Sequence, residues 1–216
     1  MPSRRALLLP LCALFLAGCF TGKRPSFRED TFGVGTTTGD AAIDAVLAKL
    51  DLATTTPPTF TAGYDIVVRF GNVPKTATVV VDGVNEAVTM HDNTNGGDVR
   101  LLQTAAGAQT CRGSICASGL DETALSDTQL TSTFWAADIA KRLRFDAASK
   151  IGPTAQRTEQ VGGQTASCVD VVQANNTASY CVLDDGVLAR LTDADVYITL
   201  MSFATTADPT AFSPPA

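Results

Sequence analysis

Histidine and tryptophan each occur once in the 216 residues, and aromatic side chains make up only 6% of the chain. The single histidine, His91, sits in a polar stretch, His-Asp-Asn-Thr-Asn-Gly-Gly, that predicts a long loop. No Gly-x-Ser-x-Gly motif accompanies it, so a serine-histidine hydrolase site is not expected. Asp92, Asn95 and Asp98 have the wrong spacing for an EF-hand, and no glutamate closes the loop. Basic residues are also few, 16 against 22 acidic ones. That balance argues against nucleic acid as a partner, because phosphate contacts need clustered positive charge. Apolar runs are short: Ala6 to Phe15 falls well below the roughly 20 residues that cross a bilayer as a helix, and Pro10 interrupts it.

That run follows Arg4 and Arg5 and precedes Leu16-Ala17-Gly18-Cys19, the order of parts in a secretory signal. The tetrapeptide resembles a bacterial lipobox, with an aliphatic residue, two small residues and then cysteine. The resemblance implies cleavage before Cys19, a diacylglyceryl thioether on its sulfur, and residence at a cell membrane on the extracytoplasmic face. Residues 1–18 are then a lipoprotein signal peptide. Residues 19–39 are rich in threonine, glycine and charge, with no apolar period, and read as a flexible tether. Such a tether has an end-to-end distance of roughly 25 Å. Losing Arg4 and Arg5 leaves 14 basic against 22 acidic residues, a net charge of −8, so lipid alone must hold the protein at the membrane.

Of six cysteines, Cys12 lies in the signal and Cys19 carries the lipid, leaving Cys111, Cys116, Cys168 and Cys181. An even number in an exported protein predicts two disulfides. Zinc is the rival for four thiols, but neither pair has C-x₂-C spacing and the compartment is oxidising. Hairpin parity selects the pairing. A two-residue turn at Gly113-Ser114 sets Arg112 opposite Ile115 and Cys111 opposite Cys116, on a non-hydrogen-bonded rung. A two- or four-residue loop around Ala174 to Asn176 does the same for Cys168 and Cys181.

From residue 40 the chain predicts one domain, 40–216. Ile43, Val46, Leu47 and Leu50 repeat at helical spacing behind a capping Asp40. Phe60, Ala62, Tyr64, Ile66, Val68 and Phe70 then alternate as a strand with one apolar face. Further strands are expected at 75–81, turning at Asp82-Gly83 into 84–90, then at 99–104, 161–172, 177–183, 187–191 and 196–203. A second helix is expected behind Ser132 or Thr133, with Trp135, Ile139 and Leu143 as its stripe. Its charges, Lys141, Arg142, Arg144 and Lys150, read as a solvated helix end. Asp184/Asp185 and Asp193/Asp195 fall in expected turns, where aspartate accepts backbone hydrogen bonds. The order of elements argues for an α+β domain, a curved antiparallel sheet packed against two or three helices.

A helix, a strand meander, a second helix and a final meander ending in Asp208-Pro209-Thr210-Ala211-Phe212-Ser213-Pro214-Pro215 resemble the LolA-like superfamily, including the LppX/LprG group of actinobacterial lipoproteins. The resemblance implies a half-barrel over an apolar cavity that binds or carries lipid, glycolipid or acyl chains. Tyr64, Ile66, Val68, Ile198 and Leu200 are the candidate lining, and few aromatics are present to plug it. The alternative is a non-catalytic protein-interaction or envelope-stress-sensing lipoprotein. Neither reading calls for a cofactor, a metal or enzymatic activity.

Overall fold

The computed structural model describes residues 33–92, 97–128 and 130–214; the expected signal peptide, Cys19 and most of the expected tether lie outside them. Helix α1, Ala41–Thr55, starts at Asp40, whose side chain accepts from the Ala42 and Ile43 N–H groups. The other Asp40 oxygen accepts from Lys150 Nζ and Thr154 Oγ1. Lys150 foremost, then Thr154, holds this carboxyl down to about 2. Ile43, Val46, Leu47 and Leu50 are buried, as their spacing requires.

Eleven strands follow: β1 Phe60–Val68, β2 Val73–Asp82, β3 Asn85–Asp92, β4 Asp98–Thr104, β5 Gly107–Arg112, β6 Ile115–Ser118, β7 Ala155–Val161, β8 Gln164–Val172, β9 Thr177–Val182, β10 Leu188–Thr192 and β11 Val196–Ala204. Helix α2, Ala137–Ser149, lies between β6 and β7, preceded by a 3₁₀ turn at Glu122–Thr128. All neighbours pair antiparallel in the order β6-β5-β4-β3-β2-β1-β11-β10-β9-β8-β7. Two meanders are thus joined where the first strand meets the last, with Ile66 opposite Ile198 and Val68 opposite Val196. The sheet is curved and does not close, which makes it a half-barrel.

Both helices pack on its inner face, α1 against α2, β8 and β9. The outer face has its own small apolar cluster. There Val80, Ala87, Leu102 and Cys111 are covered by Ala207, Ala211 and Phe212 of the C-terminal segment. Arg100 fastens that segment by donating to the Thr210 and Ala211 carbonyls.

Disulfides link Cys111 to Cys116 and Cys168 to Cys181, each with Cα atoms 4.0 Å apart on directly opposed positions. The second hairpin uses a four-residue loop, since Val172 pairs with Thr177.

Several sequence expectations need correction. β1 stops at Val68, because a turn closed by Asn72 N–H to Arg69 C=O begins there; Phe70 continues the apolar alternation yet is 91% exposed. The following hairpin turns at Gly83-Val84, since Asp82 pairs with Asn85. His91 is not in a loop: it lies in β3, one residue before its end, and bonds to Asp98 across the ladder. The stretch 161–172 is not one strand, because Gly162 and Gly163, both at positive φ, end β7 and turn into β8. Ser132 and Thr133 do not cap α2, which starts without a side-chain cap. Ser132 is instead committed to Glu122, which accepts from both its N–H and its hydroxyl.

The charge run on α2 is not a solvated end either. Arg142 pairs with Asp193 at 2.6 Å, Arg144 pairs with Asp51, and Lys150 with Asp40. Arg144 is only 3% exposed. The run ties α2 to α1 and to the β10–β11 turn.

Candidate binding face

Strand alternation puts Tyr64, Ile66 and Val68 of β1 and Ile198 and Leu200 of β11 together at the centre of the inner face, since their pairings coincide. All five are buried. Across the ladder to β2 and onward through β3 and β4, Ala77, Val79, Val88, Met90 and Leu101 continue the same apolar surface.

What lies over the centre is the segment from Gly119 to Ala136, which crosses from β6 to α2. Its Leu125, Leu130, Phe134 and Trp135 are buried against the sheet. Phe134 meets the Tyr64 ring edge-on at 5.3 Å, and Trp135 meets Phe60 edge-on at 5.1 Å. The Tyr64 hydroxyl donates to the Leu188 carbonyl at 3.0 Å, which satisfies a phenol that burial pushes far above its usual range. The Leu188 N–H in turn donates to the Trp135 carbonyl, so the crossing segment is held to β10 by backbone. Trp135 is expected on the second helix but lies in the turn before it, beside Phe134. It shares the spacing of Ile139 and Leu143 but precedes the first turn of α2, and Phe134 belongs to no periodic pattern.

Two acids, Glu86 of β3 and Asp138 of α2, feel the charge of Glu122 in this segment. Burial pushes the Glu86 carboxyl up to about 7; the Trp135 indole N–H opposes that rise and the Glu122 charge adds to it. Trp135 Nε1 is buried without a hydrogen bond of normal geometry. Asp138 is raised as well, mainly by burial, against the pull of Arg142 and Lys141. An acid whose folded pKa exceeds its unfolded value keeps a proton that the unfolded chain has released. Stability therefore falls as pH rises from about 4.5 to about 7. Glu86→Gln removes this penalty: the variant should match the parent near pH 4 and exceed it by about 1–3 kcal/mol at pH 8. Denaturant melts at the two pH values decide it, and an equal gap at both would mean Glu86 is not the titrating group.

At the β5–β6 end the inner face is open. A cleft of about 320 Å³ lies there, lined by Thr110, Arg112, Ile115, Ala117, Leu120 and Asp121 among others. Thr110 shapes it: its hydroxyl donates to the Gly119 carbonyl and accepts from the Asp121 N–H, so the chain leaves β6 at a set angle.

On the outer face, Arg157, Glu159, Asp170 and Arg190 form an ion-pair network around the Cys168–Cys181 bond. The Glu159 carboxylate and both sulfurs lie within 4.8 Å of one another. Sulfurs joined to each other offer no thiolate to a metal. Asp193 accepts from the Asp195 and Val196 N–H groups, the backbone role expected of a turn aspartate, and Asp184 pairs with Lys49.

No protein-family model matches the sequence, and comparison with curated proteins finds no match. Solved structures do match. A crystal structure of MucB aligns over 82% of this chain at 14% identity with a TM-score of 0.55, and the chain spans 64% of that protein's length. MucB in complex with MucA(peri) aligns over 81% of this chain and 60% of its own at 11% identity, TM-score 0.49. The Pseudomonas aeruginosa MucA/MucB complex aligns over 81% and 61% at 12% identity, also with a TM-score of 0.49. At 14% identity the first of these likenesses is one of fold alone: a curved, unclosed antiparallel sheet with helices on its inner face.

Proposed function

We propose that this protein is a non-catalytic lipoprotein, anchored through Cys19 on the extracytoplasmic side of a cell membrane, whose half-barrel is a docking module for a protein partner. The observation that carries the reading is the division of the inner face. Its centre is filled by the chain's own Phe134, Trp135, Leu125 and Leu130, while its β6 end is open. Two disulfides suit an oxidising compartment. An envelope-stress sensor would be one form of such a module. Kinship to the LppX/LprG group rests on element order and tail alone.

Carriage of lipid is the second reading, favoured by the continuous apolar wall of Tyr64, Ile66, Val68, Ile198 and Leu200. It requires Phe134 and Trp135 to swing away. One set of measurements separates the two. The full chain should take up labelled palmitate, and Cys19→Ala should abolish this; uptake by the variant would sink the anchor. Native mass spectrometry of the Cys19→Ala chain should then find the bare polypeptide mass. Ile66→Trp and Leu200→Trp should each cost about 1–3 kcal/mol, because the indole enters filled space. Co-purified lipid, with melting unchanged in both variants, would favour the carrier.

A further inference from the structure

The two outer strands of the sheet are unlike each other. β7 carries Arg157 and Glu159, charges of the kind that keep an open edge from pairing with other chains. β6 is Ile115-Cys116-Ala117-Ser118, with neither charge nor proline, exposed at all four positions, and its Ile115 is 79% exposed. The pairing with β5 sets which backbone groups are free. Cys116 opposes Cys111 on a rung of the narrow kind, and the Gly119 N–H donates to the Ala108 carbonyl. Alternation along an antiparallel ladder then turns the N–H and C=O of Ile115 and Ala117 toward β5, and those of Cys116 and Ser118 outward. Among the described residues nothing pairs with those outward groups. Ile115 and Ala117 themselves point to the inner face, where they form one wall of the 320 Å³ cleft.

We infer that β6 is a strand-addition site: an extended segment of a partner protein pairs with Cys116 and Ser118 and sets an apolar side chain into the cleft beside Ile115, Ala117 and Leu120. The inference rests on the docking-module reading and gives it a place. An acyl chain has no groups to satisfy a row of backbone donors and acceptors, whereas a polypeptide in β conformation satisfies them at matching spacing. A second copy of this chain would meet the edge over only four residues, far short of the roughly 1,200 Å² that a stable association between folded proteins buries. A flexible segment can follow the edge past Ser118 and enter the cleft. The Cys111–Cys116 bond holds the edge in strand form beforehand, so little order must be created on binding.

The test pans random dodecapeptides, displayed on phage, against the full lipidated chain in detergent micelles. Enriched peptides should alternate apolar and polar residues and shift the Cys116 and Ser118 amide resonances. Ser118→Pro removes an outward N–H and leaves the bonds to β5; Ile115→Lys places a charge at the cleft. Each should weaken peptide binding tenfold or more with melting nearly unchanged. If enriched peptides bind both variants as well as the parent, the site is wrong and the docking-module reading stands. If nothing is enriched, both fall. If light scattering instead finds a dimer that Ser118→Pro dissolves, the occupant is a second copy and the proposed partner is wrong.

Discussion

Gly186→Ala should be the most damaging glycine-to-alanine substitution among the described residues, costing about 2–5 kcal/mol. Gly186 has φ +82°, a conformation that strains any residue with a Cβ. That strain alone is worth about 1–2 kcal/mol. A Cβ there would also stand 2.2 Å from the Lys49 carbonyl oxygen and 2.6 Å from the Ala53 Cβ. Both belong to α1, so the helix must lift off the turn before β10, at a further cost of about 1–3 kcal/mol. The neighbouring Lys49–Asp184 pair would be disturbed with it. Gly83→Ala is the control, since it also has positive φ but meets nothing within 4 Å. Chemical denaturation of the two variants separates strain from collision. Equal losses would mean that α1 does not seat on this turn.

Arg144→Ala should cost about 3–5 kcal/mol, the range for removing one partner of a buried ion pair. The Arg144 Nε donates to the Thr36 carbonyl at 3.1 Å, and its terminal nitrogen pairs with Asp51. One side chain thus joins α2 to α1 and to the chain entering α1. Without it, Asp51 keeps the Gly35 N–H as a donor but loses its counter-charge. For a domain of this size, 1 kcal/mol corresponds to about 2–4 °C in Tm, so thermal melts resolve the effect easily. The double replacement Arg144→Met with Asp51→Leu should be milder than Arg144→Ala, because no lone charge stays behind. A double variant worse than the single one would show that the pair contributes more than its own neutralisation.

What could be read along the chain was whatever depends on neighbours in sequence. Asp40 caps α1 because the N–H groups it satisfies are two and three residues away. The cysteine pairs follow from counting rungs outward from a turn, and both hairpins show them opposed. The apolar stripe of α1 and the alternation of β1 repeat with the period of their own backbones. The Val161–Val172 reading failed at the same local level. Gly162-Gly163 supplied the turn signal, but polar β7 at the sheet edge lacks the apolar alternation that marks a strand.

The rest is non-local. The pairing of β1 with β11 joins residues more than a hundred positions apart, and no period in either strand names its partner. Arg144 reads as a solvated charge until α2 packs on α1 and brings it against Asp51, away from water. Phe134 and Trp135 lie in turns before α2; they are buried because the crossing segment has the apolar sheet beneath it. The open edge at β6 is likewise a property of strand order, since the same four residues placed inside the sheet would have had no free backbone to offer. Local propensity and parity determined the pieces, and burial against distant partners decided which faces stayed exposed.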